Sequence, residues 1–291
     1  MSRTAYVNGR YVPVDARAIA IEDRGYQFAD GIYEVMKVTD GRIGDFDRHL
    51  DRLERSLREL AIAPPMSRAA LCEVIGETLR RNRLRHAIVY IQVSRGIGPR
   101  NHVAPVNVRS SIVVTVRRAP LPSPAEAEAG CRVVSRPDER WHRCDIKSIS
   151  LLPNLLAKTA AHREGAREAW LVDKEGVVTE GSSSNAWIVD TDGRLVTRPL
   201  GHEILGGITR MAVLELAREL GIEVVERAFT LEEAKNAREA FLTSTSSLVM
   251  PVVQIDERIV ANGVPGSLTR RLQASYNRRA GLGVLYASQE G

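Results

Sequence analysis

A proline-studded break near the middle constrains this chain more than any other feature. Ala119-Pro120-Leu121-Pro122-Ser123-Pro124 puts three prolines within five residues. Proline lacks a backbone N–H and clashes with the preceding helical turn, so such a run is neither central strand nor helix interior. Residues 119–130 therefore read as an interdomain linker. It leaves an N-terminal α/β domain over 1–118 and a C-terminal strand-rich domain over 131–291. A length of 291 residues suits two domains of ordinary size.

Periodicity fills in both halves. Tyr6-Val7 and Tyr11-Val12 flank Asn8-Gly9, a two-residue hairpin signal. Gly31 to Thr39 reads as a strand, turned at Asp40-Gly41 into a second strand over Arg42 to Phe46. Leu50, Leu53, Leu57 and Leu60 predict one amphipathic helix; Leu71, Val74, Ile75 and Leu79 predict another. Ala87 to Ser94 and Ser111 to Val116 are strands around a Gly/Pro-rich loop. Beyond the break, Ala169 to Val172 pairs with Val177-Val178, and Ala186 to Val189 with Leu195 to Thr197. A helix from Thr209 to Leu220 ends at Gly221, and strands at 223–225, 240–243 and 252–255 follow. The class is α+β, with mixed strands and few helices.

Charge and cysteine usage narrow the function. Net charge is +5, and the basic residues are interspersed with acids, so no nucleic-acid footprint stands out. Cys72, Cys131 and Cys144 show no C-x-x-C spacing, which argues against a zinc site or a disulfide framework. No apolar run approaches the roughly 18 residues of a membrane span, and the N-terminus enters a strand pattern without an apolar signal region. A soluble cytoplasmic protein is expected.

Lysine is scarce: of 41 basic residues, only Lys37, Lys147, Lys158, Lys174 and Lys235 are Lys. A lysine acting as an amine nucleophile must lose its proton, which burial or a nearby cation favours. Lys147 lies between Ile146 and Ile149, and Lys37 shares a strand face with Tyr33 and Val35. Lys174 falls in a turn, while Lys158 and Lys235 lie on polar stretches. Burial alone leaves Lys147 and Lys37 as candidates, or two lysines whose stems lie on apolar surface.

Other groups are weaker when read singly. Arg95-Gly-Ile-Gly-Pro-Arg-Asn-His102 is either a carboxylate trap built on Arg100 and His102 or a solvated basic loop. Glu180 in Thr179-Glu-Gly-Ser-Ser-Ser-Asn185 can pair with a protonated ring nitrogen, or the stretch is an ordinary serine-rich turn. Gly206-Gly207-Ile208-Thr209 starts a helix, where free N–H groups favour a phosphate; Thr209 as a simple N-cap is the alternative. Thr243-Ser-Thr-Ser-Ser247 adds hydroxyls, and Arg52 sits off the first leucine stripe.

Their order along the chain is far more specific. From about Tyr6 to Ile255 the sequence resembles the fold-type IV pyridoxal-phosphate enzymes, and within them the D-amino-acid aminotransferases. The carrying motifs are Asp23-Arg-Gly-Tyr-Gln-Phe-Ala-Asp-Gly-Ile-Tyr33-Glu-Val, His49-x-x-Arg52-Leu, Asp145-Ile-Lys147-Ser, Glu180-Gly-Ser-Ser-Ser-Asn185, Gly207-Ile-Thr-Arg210 and Thr243-Ser-Thr245. The resemblance implies a two-domain α+β fold whose second domain is a pseudo-barrel. It implies pyridoxal 5'-phosphate as cofactor, held by Lys147 as a Schiff base and by Arg52, Glu180, Ser182, Ser183, Ile208, Thr209, Ser244 and Thr245. Lys147 is the implied catalytic base and acid. Tyr33, Tyr90, Arg100 and His102 are the implied substrate ligands, with Arg100 and His102 supplied by the neighbouring subunit of a homodimer. Amino acids and 2-oxo acids, as small-molecule substrates, are the expected partners, with no nucleic acid, metal or membrane. Ile97-Gly98 departs from the small polar residues that usually precede this loop's proline, which bears on substrate range. Branched-chain or amine transamination on the same scaffold is the alternative, followed by a pyridoxal-phosphate carrier without turnover.

Overall fold

Asn8 and Gly9 both take positive φ, the conformation that closes a two-residue hairpin. They turn β1 (Thr4–Val7) onto β2 (Arg10–Pro13) in register from Thr4–Pro13 to Val7–Arg10. This computed structural model describes residues 3–118 and 122–282. The chain divides into one unit of Met1–Pro120 with Ile146–Ser150 and another of Leu121–Asp145 with Leu151–Gly291.

In the first unit, α1 (Arg24–Phe28) leads into β3 (Gly31–Thr39) and β4 (Arg42–Ile43). Then follow α2 (Phe46–Glu59), α3 (Arg68–Asn82), β5 (Ala87–Ser94) and β6 (Ser111–Arg117). The sheet order is β2-β1-β6-β5-β3-β4. Alternate residues of β3 and β5 (Ile32, Met36, Val38, Val89, Ile91, Val93) pack against Leu50, Leu53 and Leu57 of α2 and Leu71 and Ile75 of α3. The expected strand over Arg42 to Phe46 stops at Ile43. Asp45 turns into the left-handed region and Phe46 starts α2, because its ring joins the core on the helical side.

In the second unit come α4 (Pro124–Ala129), β7 (Cys131–Pro137), α5 (Leu152–Arg163), β8 (Glu168–Val172) and β9 (Val178–Gly181). Next are β10 (Asn185–Val189), β11 (Leu195–Thr197), α6 (Ile208–Glu219), β12 (Val224–Glu226) and α7 (Leu231–Lys235). β13 (Glu239–Ser244), β14 (Leu248–Ile255), β15 (Arg258–Ile259) and α8 (Ser267–Arg279) end the described chain. The sheet runs β12-β11-β10-β13-β14-β7-β8-β9, with β15 on β14. It curls back on itself: Val178 N–H donates to Phe229 O at 3.0 Å, and Val177 bridges Thr230, just after β12. One face of the sheet buries Trp170, Ile188, Leu242 and Phe229; the other buries Trp187 and Phe241 under α6 and α8.

The linker expected over 119–130 is interrupted. Residues 119–121 lie outside the described residues, and Pro124–Ala129 is helical. Pro124 occupies the first turn, where its missing N–H has no partner to lose, and Ser123 and Glu126 form a capping box. The expected second domain is also not contiguous, because 146–150 belong to the first unit. Neither α5 nor α8 carries a leucine stripe like that of α2. In α5 only Ala161 is buried while Leu152, Leu155 and Leu156 are exposed.

Candidate active site

Three groups of expected residues gather within the first unit. Residues 147–149 lie along the edge of β3. Tyr33 N–H donates to Lys147 O at 2.9 Å, Ile149 N–H donates to Gly31 O at 3.1 Å, and Ser148 bridges Ile32. Lys147 N–H donates to Ser56 Oγ at 3.3 Å. The lysine backbone is thus held by a strand on one side and by α2 on the other. Its Nζ stands 4.3 Å from the Tyr33 ring centroid, and Tyr33 stacks on Tyr90 at 5.7 Å. Burial pushes the Tyr90 phenol up to about 12, and its hydroxyl donates to Gln92 Oε1 at 2.8 Å. The other candidate lysine, Lys37, has a buried Nζ without a hydrogen-bond partner, and that burial lowers its pKa.

The second group centres on Glu34, fully buried on β3. Helix α2 presents His49, Arg52 and Ser56 on one face, since residues three and four apart stack along a helix. Arg52 grips Glu34 with two bonds, Nη2 to Oε1 at 2.5 Å and Nε to Oε2 at 3.0 Å. His49 Nδ1 lies 3.0 Å from the same Oε1. Burial alone pushes a carboxyl up, but the Arg52 guanidinium and the His49 hydrogen bond hold Glu34 well below the usual range.

The third group is the β5–β6 loop. Arg100 and His102 are exposed, and both lie on Phe28 of α1. The Arg100 guanidinium carbon is 4.7 Å from the ring centroid, and the His102 ring centroid is 5.7 Å away.

In the second unit, Glu180 on β9 is buried among directed partners. Asn185 Nδ2 donates to Oε2 at 3.0 Å, Leu205 N–H lies 3.2 Å from both oxygens, and Arg140 forms a short ion pair with Oε1. Asp138 orients Arg140 through bonds of 2.9 and 2.8 Å. Burial pushes Glu180 up to about 7, against the pull of Arg140 and of the Leu205 N–H.

Asn185 also reaches the start of α6. Gly207 is the N-cap, with no side-chain cap, and Ile208 and Thr209 are buried in the first turn. A Cβ added at Gly207 would lie 2.1 Å from Asn185 Oδ1. Thr209, considered above as an N-cap, is inside the helix. The Ser182, Ser183 and Ser184 hydroxyls all donate to the buried Glu168 carboxylate, which Lys158 also pairs at 3.1 Å. Ser244 ends β13, and its Oγ accepts from Ser247 N–H at 3.0 Å; Thr245 follows in the turn.

Taken one by one, these groups are chemically suited to parts of pyridoxal 5'-phosphate. A helix start with no side-chain cap on its backbone N–H groups suits a phosphate. A buried, partnered carboxylate suits a ring nitrogen that carries a proton, and a backbone-fixed lysine amine suits an aldehyde. No cluster of metal-ligating side chains occurs among the described residues. Sequence reading named no role for Glu34, Ser56, Arg140, Asn185, Glu168 or Phe28. Glu34 and Phe28 were inside the opening motif and Asn185 inside the glutamate motif, so proximity in sequence could have flagged them. Nothing local marks Arg140.

Residues 31–255 match the family described as amino-transferase class IV. A D-alanine aminotransferase of Bacillus licheniformis is 40% identical over 269 residues, 92% of this chain and 94% of that protein. One of Staphylococcus haemolyticus is 36% identical over 94% of this chain and 96% of its own. Among solved structures, the branched-chain amino acid aminotransferase of Thermobaculum terrenum, in its PLP-bound holo form, superposes with a TM-score of 0.84 at 25% identity, covering 99% of this chain and 97% of that one.

Proposed function

We propose, from the premise that this chain belongs to the class IV amino-transferase family, that it moves the amino group of a D-amino acid such as D-alanine to a 2-oxo acid such as 2-oxoglutarate. The observation that carries this reading is the match to D-alanine aminotransferases at 36–40% identity over more than nine-tenths of the chain. A branched-chain reading has the structural neighbours in its favour, at 25% identity for the Thermobaculum terrenum enzyme. The fold is common to both, so the choice between them falls to the residues that meet substrate.

Pyridoxal 5'-phosphate, when bound, supplies the electron sink that lets the Cα–H bond of an amino acid ionise. Lys147 would hold the cofactor through its side-chain amine, and that amine, as general base and acid, would move the proton at the substrate Cα. Tyr33 shields that amine on one side and Ser56 fixes the backbone behind it. Glu180 holds a proton at the ring nitrogen, and Arg140 and Asn185 keep its oxygens aimed. The first turn of α6, with Ile208 and Thr209, would hold the phosphate together with Arg52, Ser244 and Thr245. Ser182 and Ser183 complete the cofactor set from the turn that Glu168 organises. Arg100 and His102, with Tyr33 and Tyr90, bind the substrate carboxylate, because a guanidinium fork matches its two oxygens.

The proposed state is a homodimer in which the Arg100 loop serves the partner's site. Exposed apolar side chains support it: Val103 and Val106 on that loop are 75% and 89% exposed, and Leu152, Leu155 and Leu156 line α5. No helix among the described residues is long and apolar enough to cross a membrane, and all three cysteines are free. We assign the protein to the cytoplasm, where thiols stay reduced. Mixing the holoenzyme with D-alanine, then separately with L-leucine, and following the cofactor absorbance tests the assignment. Rapid conversion by D-alanine is expected; faster conversion by L-leucine would replace it with the branched-chain reading.

A further inference from the structure

The loop that carries Arg100 and His102 is anchored by residues with no part in the chemistry above. Its base is stitched to the segment before β3: Arg24 N–H donates to Gly96 O at 2.9 Å, Gly98 N–H to Glu22 O at 3.1 Å, and Asp23 bridges Ile97. Higher up, the buried Arg24 donates from Nη1 to Asn101 O at 2.7 Å. Asn101 is the residue between Arg100 and His102. Arg24 is itself fixed by Asp30, which accepts from its Nε at 2.8 Å and also pairs with Arg95. These bonds place the backbone of the loop. They do not place its side chains.

Phe28 does. Its ring lies 4.7 Å from the Arg100 guanidinium carbon, 5.7 Å from the His102 ring and 4.8 Å from the Arg24 guanidinium carbon. A cation over an aromatic face is attracted by the ring quadrupole, and Arg stacks there with its fork still free to bond in its plane. Arg24 is paired with Asp30, whereas Arg100 makes no ion pair among the described residues. The guanidinium on this ring without a carboxylate partner is thus the one in the loop. An exposed Arg that must be immobilised on binding loses rotamer freedom at that moment; one already resting on a ring loses less.

We propose that Phe28 is a positioning residue that presets Arg100 and His102 for a substrate α-carboxylate, and so sets KM for both the amino acid and the oxo acid. This rests on the carboxylate role given above to Arg100 and His102. Phe28→Leu, which keeps an apolar side chain but removes the ring, raises KM for D-alanine and for 2-oxoglutarate by roughly three- to tenfold. The rise falls on KM far more than on the single-turnover rate at saturating D-alanine, and the cofactor spectrum stays that of wild type. Phe28→Tyr keeps the ring and restores KM. In an Arg100→Ala background Phe28→Leu adds less than twofold, as expected for residues acting through one contact.

Three results overturn the proposal in distinguishable ways. A normal KM in Phe28→Leu, with a raised KM in Arg100→Ala, removes the Phe28 role and leaves the carboxylate trap standing. An equal effect of Phe28→Leu with and without Arg100 shows that the ring acts elsewhere. A normal KM in Arg100→Ala removes the trap itself, and the role of Phe28 with it. Should Phe28→Leu fail to fold, Phe28→Met fills nearly the same volume without a ring and is read in the same way.

Discussion

Lys147 and Lys37 differ in what holds them. Lys37 hangs from β3 with its amine desolvated and unpartnered, while Lys147 is fixed at its backbone by Tyr33 and Ser56 and presents its amine at the Tyr33 ring. A nucleophile that must be displaced and then return to the same carbon needs the second arrangement. Borohydride reduction of the holoenzyme, then peptide mapping, is expected to put the pyridoxyl label on Lys147; a label on Lys37 refutes the assignment. Lys147→Ala should retain less than a thousandth of turnover. For Glu180, the relevant contact is its proton. Glu180→Gln should keep the cofactor but slow Cα deprotonation in single turnover on the order of 100-fold, and an unchanged rate would count against the role. Glu34 gives a pH signature. Its folded pKa lies below the ordinary value of 4.5, held there by Arg52 and His49 against burial. Such a group contributes stability above pH 4.5, and that contribution is lost as pH falls through the folded value. Glu34→Gln should therefore flatten the acid limb of a stability-versus-pH curve. It should also cost about 3–5 kcal/mol near neutral pH, because the buried Glu34–Arg52 ion pair is broken. Parallel acid limbs in the two proteins would be the contrary result.

At the scale of elements, two helices work by their ends and faces. Helix α2 turns its leucines to the sheet and sets His49, Arg52 and Ser56 on the neighbouring stripe, so one element serves both the core and the proposed site. Helix α6 works by its first turn. Gly207 has an ordinary φ of −67, so it is required for room rather than for backbone freedom: Asn185 Oδ1 occupies the place of a Cβ. Gly207→Ala should push Asn185 away from both α6 and Glu180, a strain of about 1–3 kcal/mol. Titration of the apoenzyme with pyridoxal 5'-phosphate should show a dissociation constant raised roughly tenfold, with little change in the far-UV spectrum. An unaltered constant would mean that α6 does not meet the phosphate.

For the whole molecule, the question is how many chains make a site. If the Arg100 loop serves a partner, Arg100→Ala and Lys147→Ala chains fail in different sites of a mixed dimer. One of the two sites then contains an intact Lys147 and an intact Arg100. Co-refolded, affinity-separated heterodimers should recover up to about half of the wild-type activity per dimer, as independent sites require. Inactive heterodimers of verified composition would place loop and lysine in one chain's site.

Local periods carried most of the elements and the order of the motifs. The Asn8-Gly9 hairpin, the leucine stripes of α2 and α3 and the glycine end of α6 follow from two- and 3.6-residue spacing and from glycine's freedom at positive φ, so sequence alone determined them. Lys147, Glu180 and the Gly207 start were singled out by the order of short motifs along the chain; read singly, burial left Lys37 beside Lys147, and Glu180 could equally lie in a serine-rich turn. Helix α5 was not legible, because its leucines face outward and leave no core stripe. Nor was the return of residues 146–150 to the sheet of the first unit, which splits the second unit in sequence. Arg140 reaches Glu180 across 40 residues, and Phe28 gathers Arg100 and His102 from a loop more than 70 positions away. Those pairings depend on the paths of loops and the register of strands. Only the tertiary structure decided them, because a long-range contact leaves no period in the chain that makes it.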